Sequence, residues 1–204
     1  MISLLKKKYG RLCLGLKVDY HGSETPIRFH DEPLRFCEAV NKAFDRPLLI
    51  KPADLRCMGS KRSMGLTMDE RALVENIHQE SGIDREFIWQ AVKDIPRLEK
   101  PIENILLGID SQMEKEIQPD MYIVFLQPAQ AMELMKDYAL KLKEFAVIKP
   151  CIFMSVCGNV FVNTIKSRVL SISFGCPDSR KYAGLTDDLL VAGIPHESCK
   201  KLFS

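Results

Sequence analysis

The sequence predicts an α+β domain in which helices pack on a mixed central sheet. Three observations support this: short apolar runs typical of buried strands, helical spacing of apolar residues between them, and a repeated segment that relates the two halves. With 204 residues, 46% of them hydrophobic, the chain can bury a sizeable core. We expect one domain over 1–204, with related halves at about 1–66 and 121–204 and a helical insert at about 67–95.

The first half opens with an alternating segment at 12–20, which predicts a strand. A loop is expected at 21–26, because glycine and proline interrupt the pattern there. Residues 31–33 are typical of a helix start, and the helix that follows carries Cys37. A short strand is expected at 48–50.

Two helices are predicted in the insert. Thr67 and Glu70 form a capping-box pattern, which predicts the start of the first helix, and Gly82 predicts its end. The second helix is predicted over 84–95.

Two runs typical of strands buried on both faces follow the insert, at 105–109 and at 121–126, where the second half begins. Pro128 occupies the first position of the helix expected next. The remaining elements are a strand over 145–154, a helix over 155–166, a strand over 169–174, and a short helix from 186 that ends at 193–195.

A segment of fourteen residues that starts at Cys57 recurs without a gap at Cys176. The Cys, Ser, Gly, Leu, Thr and Asp positions coincide, and two further positions exchange Lys and Arg. A predicted helix with its own cysteine precedes each copy, since Cys37 lies twenty residues before Cys57 and Cys157 nineteen before Cys176. This predicts an internal duplication. Copies packed about a pseudo-twofold axis would bring Cys57 and Cys176 together.

The repeated cysteines suggest thiolate chemistry, because thiolates bind metals and basic neighbours lower the pKa of a thiol. Two basic residues follow each loop cysteine within five positions: Lys61, Arg62, Arg180 and Lys181. Four thiolates would satisfy zinc or an iron–sulfur cluster, and the candidates are Cys37, Cys57, Cys157 and Cys176. Core packing is the alternative, and it is favoured for Cys37 and Cys157 on their apolar helix faces.

The same loops are also candidates for binding phosphate or carboxylate. Small residues, a serine, basic side chains and a helix N-terminus together suit an anion. The residues of this hypothesis are Ser60, Lys61, Arg62, Ser179, Arg180 and Lys181. Gln127 and Pro128, between a strand and a helix, form a third such junction. The alternative is that the glycines only make turns and that solvent surrounds the basic side chains.

Four stretches resemble the ArCR family, a domain of unknown function common in archaea and anaerobic bacteria. The cysteine loops are the more specific, Cys-Met-Gly-Ser-Lys-Arg-Ser-Met-Gly at 57–65 and Gly-Cys-Pro-Asp-Ser-Arg-Lys-Tyr at 175–182. The others are Gln-Pro-Ala-Gln-Ala-Met at 127–132 and Gly-Ile-Pro at 193–195. The resemblance implies a single-family domain without an established activity.

Composition and charge argue against several classes of protein. A net charge of +2 gives no reason to expect nucleic acid as a partner. No apolar run approaches the roughly 20 residues of a membrane span, and lysines interrupt the N-terminal apolar residues, so neither a span nor a signal peptide is expected. Seven cysteines fit free thiols or a metal site in a reducing compartment, which predicts a cytoplasmic protein.

The sequence therefore predicts a thiol-based binding protein or enzyme whose site lies between the two cysteine loops. Its occupant would be a metal, a cluster or a small anionic ligand. The alternative is a structural or protein-interaction domain in which the repeat is only architecture.

Overall fold

The computed structural model describes residues 1–9, 12–21, 32–148 and 152–204. Seven strands lie within these ranges: β1 (Cys13–Val18), β2 (Leu48–Ile50), β3 (Ile105–Ile109), β4 (Met121–Leu126), β5 (Val147–Ile148), β6 (Ser171–Ser173) and β7 (Leu190–Pro195). They form one sheet in the order β2-β3-β1-β4-β7-β6-β5. The β5–β6 pair is parallel and the other pairs are antiparallel, which confirms the predicted mixed sheet.

The sheet is built outward from the antiparallel pair of β1 and β4 at its centre. β3 and then β2 extend from β1, while β7 and then β6 extend from β4. Two strands extend from β1 and three from β4, because β5 adds a further edge strand beside β6, so the order is symmetric about the central pair only without β5. The duplication stays a prediction.

Helices cover both faces of the sheet. Within the described residues they are α1 (Ile2–Lys8), α2 (Phe36–Lys42), α3 (Met58–Ser63), α4 (Glu70–Ser81), α5 (Arg85–Asp94), α6 (Pro128–Leu142), a π-helix (Ser155–Val162), α7 (Asn163–Ser167), α8 (Pro177–Tyr182) and α9 (His196–Phe203). With the mixed sheet, they confirm the α+β class.

Two hydrophobic layers result, one on each side of the sheet. The first contains residues of α2, α4, α5 and the π-helix, and the second contains residues of α1, α6 and α9. β4 contributes alternate side chains to both: Met121, Ile123 and Phe125 to the first, and Tyr122, Val124 and Leu126 to the second. An unbroken apolar run fits a strand that is buried on both faces.

The strands predicted at 48–50, 105–109 and 121–126 are confirmed, and α6 begins at Pro128 as predicted. The capping box at Thr67 is wrong. The side chain of Asp69 accepts a hydrogen bond from the backbone N–H of Arg71 and caps α4 instead. A carboxylate at this position also interacts favourably with the positive end of the helix.

The helix predicted over 186–195 is wrong, because β7 occupies Leu190–Pro195 and pairs with β4 and β6. Gly193 therefore does not end a helix. Its structural role is a close approach, since a Cβ there would lie 2.5 Å from Thr164 Oγ1. α9 follows β7 directly.

Two further boundaries differ from the prediction. The strand expected over 145–154 is described only as β5, and Met154 has a left-handed backbone with φ of 47°. α2 begins at Phe36 rather than at 31–33, because the backbone of Arg35 is still extended. Asp31 and all but the first residue of the loop predicted at 21–26 lie outside the described residues.

Among the described helices, none has both the length and the apolar character that a membrane crossing requires.

Gly108 tests how closely β3 packs against the turn after α2. Its φ is +85°, and a Cβ would lie 2.6 Å from the Ala43 carbonyl oxygen. We expect Gly108→Ala to lower the free energy of unfolding by about 2 kcal/mol more than a matched glycine substitution does. Urea unfolding measured by circular dichroism provides the comparison.

Gly82 supplies the matched control. Its φ is +70° and nothing lies within 4 Å of the position that a Cβ would take, so Gly82→Ala introduces left-handed strain of about 1–2 kcal/mol without a clash. Equal losses in the two variants would contradict the close packing at Gly108.

Candidate functional site

A cavity of about 700 Å³ opens on the side of the sheet that carries the first hydrophobic layer. Its lining includes all four cysteines of the predicted site, Cys37, Cys57, Cys157 and Cys176. They come from α2, the residue before α3, the π-helix and the residue before α8. We refer to this space as the four-cysteine cavity.

The two cysteine loops reach the cavity from opposite parts of the sheet. β2, which precedes Cys57, is an edge strand, and β6, which precedes Cys176, lies next to the opposite edge. Contacts between the helices that carry or follow the cysteines bring the two loops together. Cys37 Sγ in α2 lies 3.8 Å from the carbonyl oxygen of Asp178 in α8. The guanidinium of Arg56 lies 5.9 Å from the centre of the Tyr182 ring, so the side chains of the two loops meet.

Gly59 allows α3 to pack tightly against the segment that begins the π-helix. A Cβ on Gly59 would lie 2.5 Å from Met154 Cγ and 3.9 Å from Cys57 Sγ. A side chain at position 59 would therefore displace the side chain of Met154, next to the thiol of Cys57.

The four thiols differ in their environments. Cys37 and Cys157 are only 9% and 7% exposed. Burial, together with the neighbouring cysteines, raises the pKa of both thiols, so they stay protonated at neutral pH. Cys57 and Cys176 are half-buried and face the open part of the cavity.

Both predicted serines lie in the cavity wall and are buried. The pKa of Cys157 rises chiefly through burial, and a hydrogen bond from Ser60 partly opposes that rise. Ser179 Oγ accepts a hydrogen bond of 2.7 Å from the backbone N–H of Cys176 and donates one to its carbonyl oxygen. The serines therefore contact the cysteine segments themselves.

Of the four basic residues predicted for the site, Lys181 lines the cavity and the other three do not. Arg62 is 4% exposed and donates to Glu70 at 2.9 Å and to the carbonyl oxygen of Ile95 at 3.1 Å. Arg180 donates to backbone carbonyl oxygens on both sides of its own loop. Lys61 lies half-buried outside the lining. Arg62 and Arg180 stabilise their segments because backbone and carboxylate partners occupy their donors.

Gln127 and Pro128, the third predicted anion junction, do not line the four-cysteine cavity. They begin α6, whose buried residues belong to the second hydrophobic layer, on the opposite face of the sheet. The anion junction predicted there is therefore separate from the four-cysteine cavity.

Sequence reasoning missed Arg35, Arg56 and Tyr182, which lie together in the cavity lining. The cations of Arg35 and Lys181 lie 4.9 and 5.1 Å from the centre of the Tyr182 ring, and Arg56 approaches the same ring. Arg35 also forms an ion pair with Asp178. Arg56 directly precedes Cys57 and Arg35 stands two residues before Cys37, so closeness to the cysteines was the available signal.

An apolar wall completes the cavity, and α4 of the insert supplies part of it. The apolar lining outside the cysteines includes Met58, Leu73, Ile77, Ile83, Phe153 and Met154. The helical pattern of α4 indicated a buried face, but the pattern alone did not show that this face borders a cavity.

The predicted four-cysteine metal centre does not fit the structure. Across the described ranges, no group of three or more His, Cys, Asp or Glu side chains is arranged to hold a metal ion. The four cysteines line one cavity, but within the described residues their side chains do not form such a group.

The comparisons with known proteins cover almost the whole chain. Residues 13–204 match the model of a family described as uncharacterised ArCR. An uncharacterized protein of Methanocaldococcus jannaschii, MJ0308, is 24% identical over 184 residues, which span 84% of this chain and 76% of the relative. No solved structure matches the chain.

The structural role of Arg62 is testable by its removal. Arg62→Ala leaves the Ile95 carbonyl oxygen without its buried donor and leaves Glu70 with only the exposed Arg97 as an ion-pair partner. We expect a loss of about 2–4 kcal/mol in the free energy of unfolding, measured by urea denaturation.

Lys61→Ala is the matched control, because Lys61 precedes Arg62 on α3 and has no comparable buried pair. Its effect should stay within about 0.5 kcal/mol. An Arg62→Ala variant as stable as the control would contradict the structural role.

Proposed function

Because the chain belongs to the uncharacterised ArCR family, with both cysteine loops inside the matched region, we propose that the four-cysteine cavity binds a small organic anion. The observation that carries this proposal is a single cavity lined by thiols, apolar side chains and three cations. Two of these cations come from the segments before Cys37 and Cys57, and the third comes from α8.

The size of the cavity favours an organic ligand. Small-molecule sites usually enclose about 300–1,000 Å³, and this cavity of about 700 Å³ lies within that range. A zinc ion would need sulfur ligands at about 2.3 Å around one point. The space is therefore better matched to a molecule with a carbon skeleton than to a single ion.

The lining suits a ligand with an apolar body. Leu73, Ile77 and Ile83 face the space from the α4 side, and Met154 lies opposite, beside α3. Contact with these side chains would remove apolar surface of the ligand from water, which is the main favourable term in most small-molecule binding.

The charges at the mouth suit an anionic group. The lining holds three basic side chains against the two carboxylates of Asp178 and Glu80. Arg56 pairs with Glu38 at 2.8 Å, but its side chain is 50% exposed, and such surface pairs contribute only about 0–1 kcal/mol. A ligand anion can therefore replace Glu38 at small cost, while the ammonium of Lys181 lies over the Tyr182 ring, 5.1 Å from its centre.

We expect the apolar anion 8-anilinonaphthalene-1-sulfonate to bind the folded protein, as followed by its fluorescence. Lys181→Gln should weaken binding about three- to tenfold, because it removes one charge-assisted hydrogen bond at the half-open mouth. The matched control is Lys200→Gln, which removes a lysine of α9 on the opposite face of the sheet and should leave the affinity unchanged.

A second variant reduces the free volume of the cavity. Ile77→Trp places a larger side chain in the wall formed by α4, and we expect it to abolish binding of the probe while urea unfolding still shows a folded protein. Unchanged binding in both Lys181→Gln and Ile77→Trp would contradict the proposal and favour the structural or protein-interaction alternative.

A further inference from the structure

We propose that Cys57 and Cys176 form a reversible dithiol–disulfide pair that exchanges with small-molecule disulfides in the four-cysteine cavity. This inference rests on the proposed function in one respect, that the cavity admits a small organic molecule. It adds an activity, two-electron thiol–disulfide exchange, and assigns it to two named sulfurs.

Exposure separates these two cysteines from the others. Among the six cysteines of the described residues, Cys57 and Cys176 alone are partly exposed. Cys13 and Cys199 lie in the second hydrophobic layer, on the face of the sheet away from the cavity. Burial raises the pKa of Cys13 to about 12, which keeps that thiol protonated and unreactive near neutral pH.

The two buried cysteines of the cavity are poor nucleophiles for the same reason. Burial holds Cys37 and Cys157 as neutral thiols, and the thiol of Cys37 also donates to the carbonyl oxygen of Asp178. The thiolate is the form that attacks a disulfide. The reaction is therefore assigned to the loop cysteines.

Cys57 and Cys176 also occupy corresponding positions in the two loops. Each loop cysteine directly precedes a helix of six residues, and each lines the same cavity. Contacts between the loops keep them close, since Arg56 next to Cys57 lies over the ring of Tyr182 in α8. The Cys37–Asp178 contact holds α2 and α8 together beside them.

The guanidinium of Arg35 lies near both cysteine loops. The Arg35 guanidinium pairs with Asp178, two residues after Cys176, and lies within electrostatic reach of Cys57. Arg35 therefore contacts the Cys176 loop and lies close to the Cys57 loop, which adds to the contacts that hold the two loops near each other.

The exchange has two steps. The thiolate of one loop cysteine attacks a sulfur of the external disulfide RSSR; that S–S bond breaks, a protein–SR mixed disulfide forms, and RS⁻ leaves. The second loop thiolate attacks the protein sulfur of the mixed disulfide and releases the second RS⁻, which leaves the Cys57–Cys176 disulfide. Two electrons pass from the cysteines to RSSR, and their two protons end on two RSH molecules.

The test uses oxidised glutathione as the probe and the full chain with Cys151→Ser, which removes the cysteine outside the described residues. Intact-mass spectrometry should show the loss of two hydrogens, and peptide mapping should place the bond between Cys57 and Cys176. In the Cys57→Ser variant, a single glutathionyl group should remain on Cys176. Dithiothreitol should reverse both products.

A Cys199→Ser variant is the control and should oxidise as the parent protein does, because that thiol lies on the other face of the sheet. A bond between any other pair, or no oxidation while Cys57 and Cys176 alkylate readily, would overturn the inference. Circular dichroism verifies that each variant is folded.

The fluorescent anion separates this inference from the proposed function. The parent protein is therefore tested for both properties, exchange with oxidised glutathione and binding of 8-anilinonaphthalene-1-sulfonate. Absent exchange with intact probe binding would refute the dithiol pair alone. Absent probe binding in the parent protein would refute the proposed ligand site.

Discussion

The pairing of β1 with β4 at the centre of the sheet is the constraint on which the rest of the molecule depends. β4 is buried at every position, so both faces of the sheet must be covered and the helices must divide between them. The helices that carry or follow the cysteines of the cavity all cover one face. Since β2 and β6 are placed far apart by the strand order, only helices folded back across that face could bring the cysteine loops together.

The sequence patterns that predicted structure correctly include two that each reflect a single local physical requirement. The wholly apolar run of β4 and the proline at the first position of α6 each allow one favourable structure, and both elements lie where the sequence predicts them. The prediction at β7 is wrong because Gly193 stops a helix in one context and admits a neighbouring helix in another. Which context applies depends on Thr164 in α7, a residue distant in sequence.

The repeat predicted the cysteines of the cavity but not its charges. Arg62 and Lys181 occupy equivalent positions, yet Arg62 is buried against Glu70 and Lys181 is exposed at the mouth. The position of Glu70 in the first copy is taken by Leu189 in the second, so no equivalent carboxylate draws Lys181 inward. The presence or absence of a carboxylate at this one position thus decides whether the basic residue is buried, as Arg62 is, or exposed, as Lys181 is. That position, Glu70 in the first copy and Leu189 in the second, is one at which the two copies differ.

Burial places the four thiols of one cavity in two different environments. Cys37 and Cys157 contribute soft, neutral surface of the kind that packs against apolar atoms, because their protons are held by desolvation. Cys57 and Cys176 keep access to solvent because each directly precedes a short helix and does not lie inside it. The distinction follows from secondary structure: a cysteine inside a packed helix is shielded by its neighbours, whereas one at the helix start borders a loop. The proposed dithiol pair therefore differs from the two buried cysteines in position and exposure, since the four side chains are chemically the same.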